Sequence, residues 1–120
     1  MTIKNYQDLD VWNKSMDLAV ILYSLSREFQ TEERFGLPHQ IQKSAVSIPS
    51  NIAEGWGRNS TKDYIRFLGV ARGSLYELET QILIANRIGY LNEKTLEKIL
   101  LETNTISKML LSLIRSLEEN

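Results

Sequence analysis

The sequence predicts an all-α fold, an antiparallel up-down four-helix bundle, from three observations. Four stretches repeat apolar residues at steps of three and four. No stretch alternates apolar and polar residues in the manner of a strand. Glycine, proline and helix-capping residues fall mainly between the periodic stretches, which short segments connect. At 120 residues, 42% of them apolar, the chain suits one domain spanning 1–120 and not two.

Helix 1 is expected over 8–29. Two apolar series run side by side along it: Leu9, Trp12, Met16, Ala19, Tyr23 and Val11, Leu18, Leu22, Leu25, Phe29. Together they cover more than half the circumference. A helix packing only inside a four-helix bundle needs a narrower stripe, so the extra width predicts a second partner surface that includes Trp12 and Tyr23.

The polar segment Gln30 to Gly36 interrupts the pattern, and Pro38 suits the first turn of a helix. Helix 2 is expected over 38–55 on the series Ile41, Ala45, Ile48, Ile52, Trp56. Pro49 lies inside it. It removes the backbone bond to residue 45 and predicts a kink, and Asn51 is placed to satisfy a backbone group freed there. Gly55 and Gly57 mark the end.

Helix 3, expected over 61–86, starts at the capping pair Ser60 and Asp63 and carries Tyr64, Leu68, Ala71, Leu75, Leu78, Ile82, Ala85. Gly89 suits its C-terminal stop and Asn92 the cap of helix 4, expected over 93–118 on Leu96, Ile99, Thr103, Ile106, Leu110, Leu113, Leu117. Gly69 and Gly73 fall on the outer side of helix 3. Each glycine costs about 1 kcal/mol relative to alanine in a helix interior. Paired four apart, they form a smooth patch for a subunit interface, or are simply two tolerated weak points.

The function classes narrow by what is missing. There is no cysteine, hence no disulfide, thiol nucleophile or thiolate metal site. The single histidine, His39, has no Glu-x-x-His spacing around it, which removes the carboxylate-bridged metal sites of helical bundles. No phosphate-binding glycine loop is present. We therefore expect no enzyme, no catalytic or metal-ligating residues, no cofactor and no small-molecule substrate. The first ten residues contain Lys4, Asp8 and Asp10 without an apolar run behind them, and the longest apolar run is Leu18 to Tyr23. A soluble, cytoplasmic protein is the expectation.

A net charge of −1 argues against a generally basic nucleic-acid binder but leaves room for a local patch. Arg58, Lys62 and Arg66 step by four across the start of helix 3, with Lys43 expected nearby through helix 2. Helix N-termini favour anions, so these four residues are the candidate phosphate or nucleic-acid patch. The competing reading is a solvated face neutralised by Glu54 and Asp63. Arg72 and Glu79 share an edge of helix 3 from which they can reach a neighbouring helix.

Three segments carry a family resemblance. They are Asp8-Leu9-Asp10-Val11-Trp12; Glu33-Arg34-Phe35-Gly36-Leu37 with Ser47-Ile48-Pro49-Ser50-Asn51-Ile52-Ala53-Glu54-Gly55; and Phe67-Leu68 with Ala71-Arg72-Gly73-Ser74-Leu75-Tyr76-Glu77-Leu78-Glu79. Over about residues 6–91 the chain resembles the four-helix-bundle family of 23S rRNA intervening-sequence proteins, itself similar to the accessory proteins of diversity-generating retroelements. The resemblance implies a protomer of a ring-like homo-oligomer, a homo-pentamer, without enzymatic activity. It also implies RNA or a reverse-transcriptase-like protein as partner. The alternative expectation is a protein-interaction module with no nucleic-acid contact, which the near-zero net charge favours.

Overall fold

The computed structural model describes residues 3–29 and 36–119. Four α-helices account for nearly all of them: α1 (Asp10–Arg27), α2 (Leu37–Trp56), α3 (Thr61–Arg87) and α4 (Glu93–Glu118), with no strand among the described residues. Most of the polar segment expected between the first two helices, residues 30–35, lies outside the described residues, as does Glu33-Arg34-Phe35 of the resemblance.

Local chemistry sets the boundaries. The first helix was expected to begin at Asp8. Instead Tyr6–Asp8 form a short 3-10 turn, and Asp8 serves it as a capping residue. Asn5 Oδ1 accepts from the Gln7 N–H at 2.7 Å, while the Asp8 carboxylate accepts from the backbone N–H of Lys4 at 2.9 Å and of Asn5 at 3.3 Å. Leu9 is extended, so α1 opens at Asp10, and its far end closes at Arg27 with Phe29 still buried beyond it. Ser60 Oγ accepts from the Asp63 N–H at 3.0 Å at the start of α3, and Asn92 Oδ1 from the Thr95 N–H at 2.8 Å at the start of α4.

The end of α3 is a Schellman stop. Gly89 takes φ +91, a left-handed value that disfavours a side chain. The Gly89 N–H donates to Asn86 O at 3.1 Å and the Tyr90 N–H to Ala85 O at 2.9 Å, which satisfies two carbonyls that the helix leaves over. Tyr90 then packs on Phe29, ring centroids 5.3 Å apart.

Each helix packs on its neighbours in sequence, and α4 also packs on α1. Leu22, Ile41, Ile48, Ile52, Leu68, Leu75, Leu78, Ile82, Ile106 and Leu110 are completely or almost completely buried between the helices. These are members of the periodic series above, so the core is the common stripe of all four helices. The molecule measures 47 × 25 × 21 Å. Its long axis follows from helices of up to 27 residues. Among the described residues no helix is long and apolar enough to cross a membrane.

Candidate functional site

The cationic candidates Arg58, Lys62 and Arg66 gather where α2 hands over to α3. Gly55 is what lets the two helices meet here. A Cβ at that position would lie 2.8 Å from Phe67 Cβ and 3.0 Å from a ring carbon of Tyr64. Trp56 meets Tyr64 edge-on at 6.0 Å. Above them, the guanidinium groups of Arg58 and Arg66 lie 4.7 and 4.5 Å from the centre of the Phe67 ring. One half-buried ring thus holds two arginines, each contact contributing about 0.5–1 kcal/mol at an exposed position.

Both arginines also have carboxylate neighbours. Arg58 Nη2 lies 2.8 Å from Glu54 Oε2, and Arg66 Nε lies 3.7 Å from Asp63 Oδ1. All four side chains are well exposed, so each pair is worth only about 0–1 kcal/mol and exchanges readily for another anion. Lys62 is exposed and makes no ion pair among the described residues.

Lys43 does not join this group. It is exposed on the middle of α2, beside Ser44, which donates to Glu77 of α3. At 1.5 Å per residue it lies about 20 Å along the helix from the Arg58 end. The expectation that Lys43 approaches the patch is corrected by the register of α2 on α3, which the spacing of charges within one helix does not encode.

The interface candidates fall on two faces. Trp12 and Tyr23 line a groove between α1 and α2 of about 520 Å³. Met16 and Val20 complete the α1 wall, while Val46, Pro49 and Ala53 form the α2 wall. The first apolar series of α1, through Trp12, Met16 and Tyr23, faces this groove, while Leu18 and Leu22 of the second series enter the core, which explains the excess apolar width of the helix. Trp12 is steadied by Tyr6, edge-on at 5.2 Å, and Tyr23 by Arg27, whose guanidinium is 5.5 Å from the ring centre. Val20 and Val46 escaped notice in the sequence; each is 64% and 45% exposed respectively. Their signal was an apolar residue set off the core stripe. Gly69 and Gly73 lie on the outward face of α3, and a Cβ at either would meet nothing within 4 Å.

Pro49 is buried within α2, which continues through it to Trp56. Asn51 does bond to backbone here, though to a different carbonyl from the one proline leaves without its donor. Its Nδ2 donates to Ser47 O at 2.8 Å and to Ser47 Oγ at 3.0 Å, whereas the carbonyl deprived of a donor belongs to Ala45. Glu79 reaches α4 directly, whereas Arg72 stays on α3 and is linked to α4 only through Tyr76. Thr103 Oγ1 donates to Glu79 Oε2 at 2.5 Å, and Arg72 Nη2 donates to Tyr76 Oη at 3.0 Å, which in turn lies 3.0 Å from Ser107 Oγ. On the other side of α3, Ser44 Oγ donates to Glu77 Oε1 at 3.2 Å and Ser47 Oγ lies 2.8 Å from Ser74 Oγ.

Comparison with known proteins agrees with this architecture. A solved structure of a protein of unknown function from the S23 ribosomal protein family of Bacteroides thetaiotaomicron superposes with a TM-score of 0.82 at 30% identity, covering 88% of this chain and 95% of that one. No curated protein matches the chain. The model of the 23S rRNA-intervening sequence proteins matches residues 7–112, so the groove walls, the cationic turn and the glycine pair all fall within the matched span. The chain belongs to the 23S rRNA-intervening sequence protein family.

Proposed function

We propose that the protein is a non-catalytic, self-associating binding protein whose assembled form contacts RNA, alone or in a complex with a nucleic-acid enzyme, through the α2–α3 turn. The observation that carries this reading is the pair of guanidinium groups on the Phe67 ring beside Lys62. The ring keeps the two guanidinium groups together at the start of α3, and their carboxylate partners are exposed enough to be displaced by phosphate.

The protomer in this reading is an up-down antiparallel bundle. Ser44 with Glu77 and Ser47 with Ser74 count upward on α2 and downward on α3, and Glu79 with Thr103 and Tyr76 with Ser107 do the same for α3 and α4. The assembly is a ring-like homo-oligomer, a pentamer by family resemblance. A ring of more than two copies needs two different faces in contact, and the α1–α2 groove and the outward Gly69–Gly73 face of α3 are suitable candidates.

The test is titration of structured RNA with the whole protein at about 50 mM salt, repeated at rising salt. Binding is expected, with an apparent constant that falls by a log–log slope of about −2 to −3 per engaged turn. Reversal of all three cations (Arg58→Glu, Lys62→Glu, Arg66→Glu) is expected to abolish it. No binding by the unmutated protein overturns the nucleic-acid contact. The second reading, a protein-interaction module alone, then stands, and the −1 net charge and the apolar groove favour it.

A further inference from the structure

A second cleft, of about 430 Å³, opens between α2 and α3 and shares no lining residue with the apolar groove. Its walls are polar: His39, Gln40, Lys43, Ser44 and Ser47 come from α2, Glu77 and Gln81 from α3. Its volume lies in the range of small-molecule sites.

Three features make this more than a solvated seam. Gln81 is 8% exposed, and its Oε1 is closed to solvent and has no hydrogen-bond partner. Buried side-chain acceptors are paired in the great majority of cases, and an unpaired one costs about 1–3 kcal/mol. Glu77 is held toward α2 by the Ser44 hydroxyl at 3.2 Å, which turns a carboxylate to the cleft. Lys43 supplies the opposite charge on the α2 wall, yet neither Lys43 nor Glu77 makes an ion pair among the described residues.

We propose that this cleft binds a small zwitterion that carries an ammonium group and a carboxylate, an amino acid being the simplest example. The ammonium donates to Glu77 and, after a small turn of the soft terminal torsion of Gln81, to its Oε1. The carboxylate is met by Lys43. A ligand of one charge only is disfavoured, because a lone anion meets Glu77 and a lone cation meets Lys43. This site is independent of the RNA reading: it uses none of Arg58, Lys62 or Arg66.

The experiment is an NMR titration of the isotope-labelled full chain with each proteinogenic L-amino acid up to about 20 mM, a range that detects millimolar affinity. At least one is expected to move the amide resonances of residues 43–47 and 77–81 in a saturable way. Lys43→Gln and Glu77→Gln, both exposed and compatible with folding, should each weaken that binding tenfold or more. The same amino acid with its ammonium trimethylated, which keeps the charge and loses the N–H donors, should also bind at least tenfold more weakly. No saturable shift with any amino acid overturns the proposal and leaves Gln81 to water. So does binding that survives both substitutions unchanged.

Discussion

A methyl group added at Gly55 would press on Phe67 Cβ at 2.8 Å and on the Tyr64 backbone oxygen at 3.3 Å, neither of which can move without shifting a helix. Gly55→Ala should therefore destabilise the fold by about 1–3 kcal/mol despite the better helix propensity of alanine. At Gly69 and Gly73 the same addition meets open space. There the propensity term acts alone, and each substitution by alanine should stabilise the protomer by up to about 1 kcal/mol. Urea unfolding of the three single variants checks both signs. Tyr64 adds a pH dependence: its hydroxyl is buried without a partner, and burial pushes its pKa above the ordinary 10.0. The folded state then holds the proton more tightly than the unfolded chain. Its contribution to stability is complete below pH 10 and falls away as pH rises through the higher folded value. Unfolding midpoints measured from about pH 8 to pH 11 should drop less for Tyr64→Phe than for the unmutated protein.

At the scale of elements, α3 is the helix with a polar seam on each flank. The seam to α2 is built from serines and Glu77, and the seam to α4 from Glu79, Thr103, Tyr76 and Ser107. The 2.5 Å bond from Thr103 to Glu79 is the shortest of these, and Thr103 is fully buried. Such a bond fixes the sliding register of two helices whose leucines and isoleucines would tolerate more than one. Thr103→Val keeps the shape and leaves the carboxylate without its donor, so a loss of about 1–3 kcal/mol is expected. A double-mutant cycle with Glu79→Gln should return a coupling of about 0.5–3 kcal/mol, and a value near zero would reduce the contact to surface decoration.

For the whole molecule, the exposed apolar groove and the bare glycine face are the features that a lone bundle does not need. Val20 and Val46 are 64% and 45% exposed, and neither belongs to the core. Val20→Lys with Val46→Lys should lower the native mass measured by light scattering and leave the helical circular dichroism intact, because charge is disfavoured at the centre of an interface. Gly73→Leu should do the same by bulk alone. A mass unchanged in both variants would show that neither face is used for assembly.

The number of helices, the caps of α3 and α4 and the core series through Leu22, Ile48, Leu75 and Ile106 were legible in the sequence, because helical periodicity and capping are local properties. That Arg58 and Arg66 share the Phe67 ring is likewise local, since all three residues lie close together along one chain segment. Other features depend on how one helix is set against another. Asp8 belongs to a separate turn, Lys43 sits far from the cationic turn, and Asn51 serves the Ser47 carbonyl. The groove walls pair Val20 with Val46, and the α2–α3 cleft sets Glu77 and Gln81 beside Lys43. The sequence by itself determined which residues turn inward on each helix; only the tertiary structure decided which outward residues share a surface, because interhelical register is set by packing and polar seams and not by any period within a single helix.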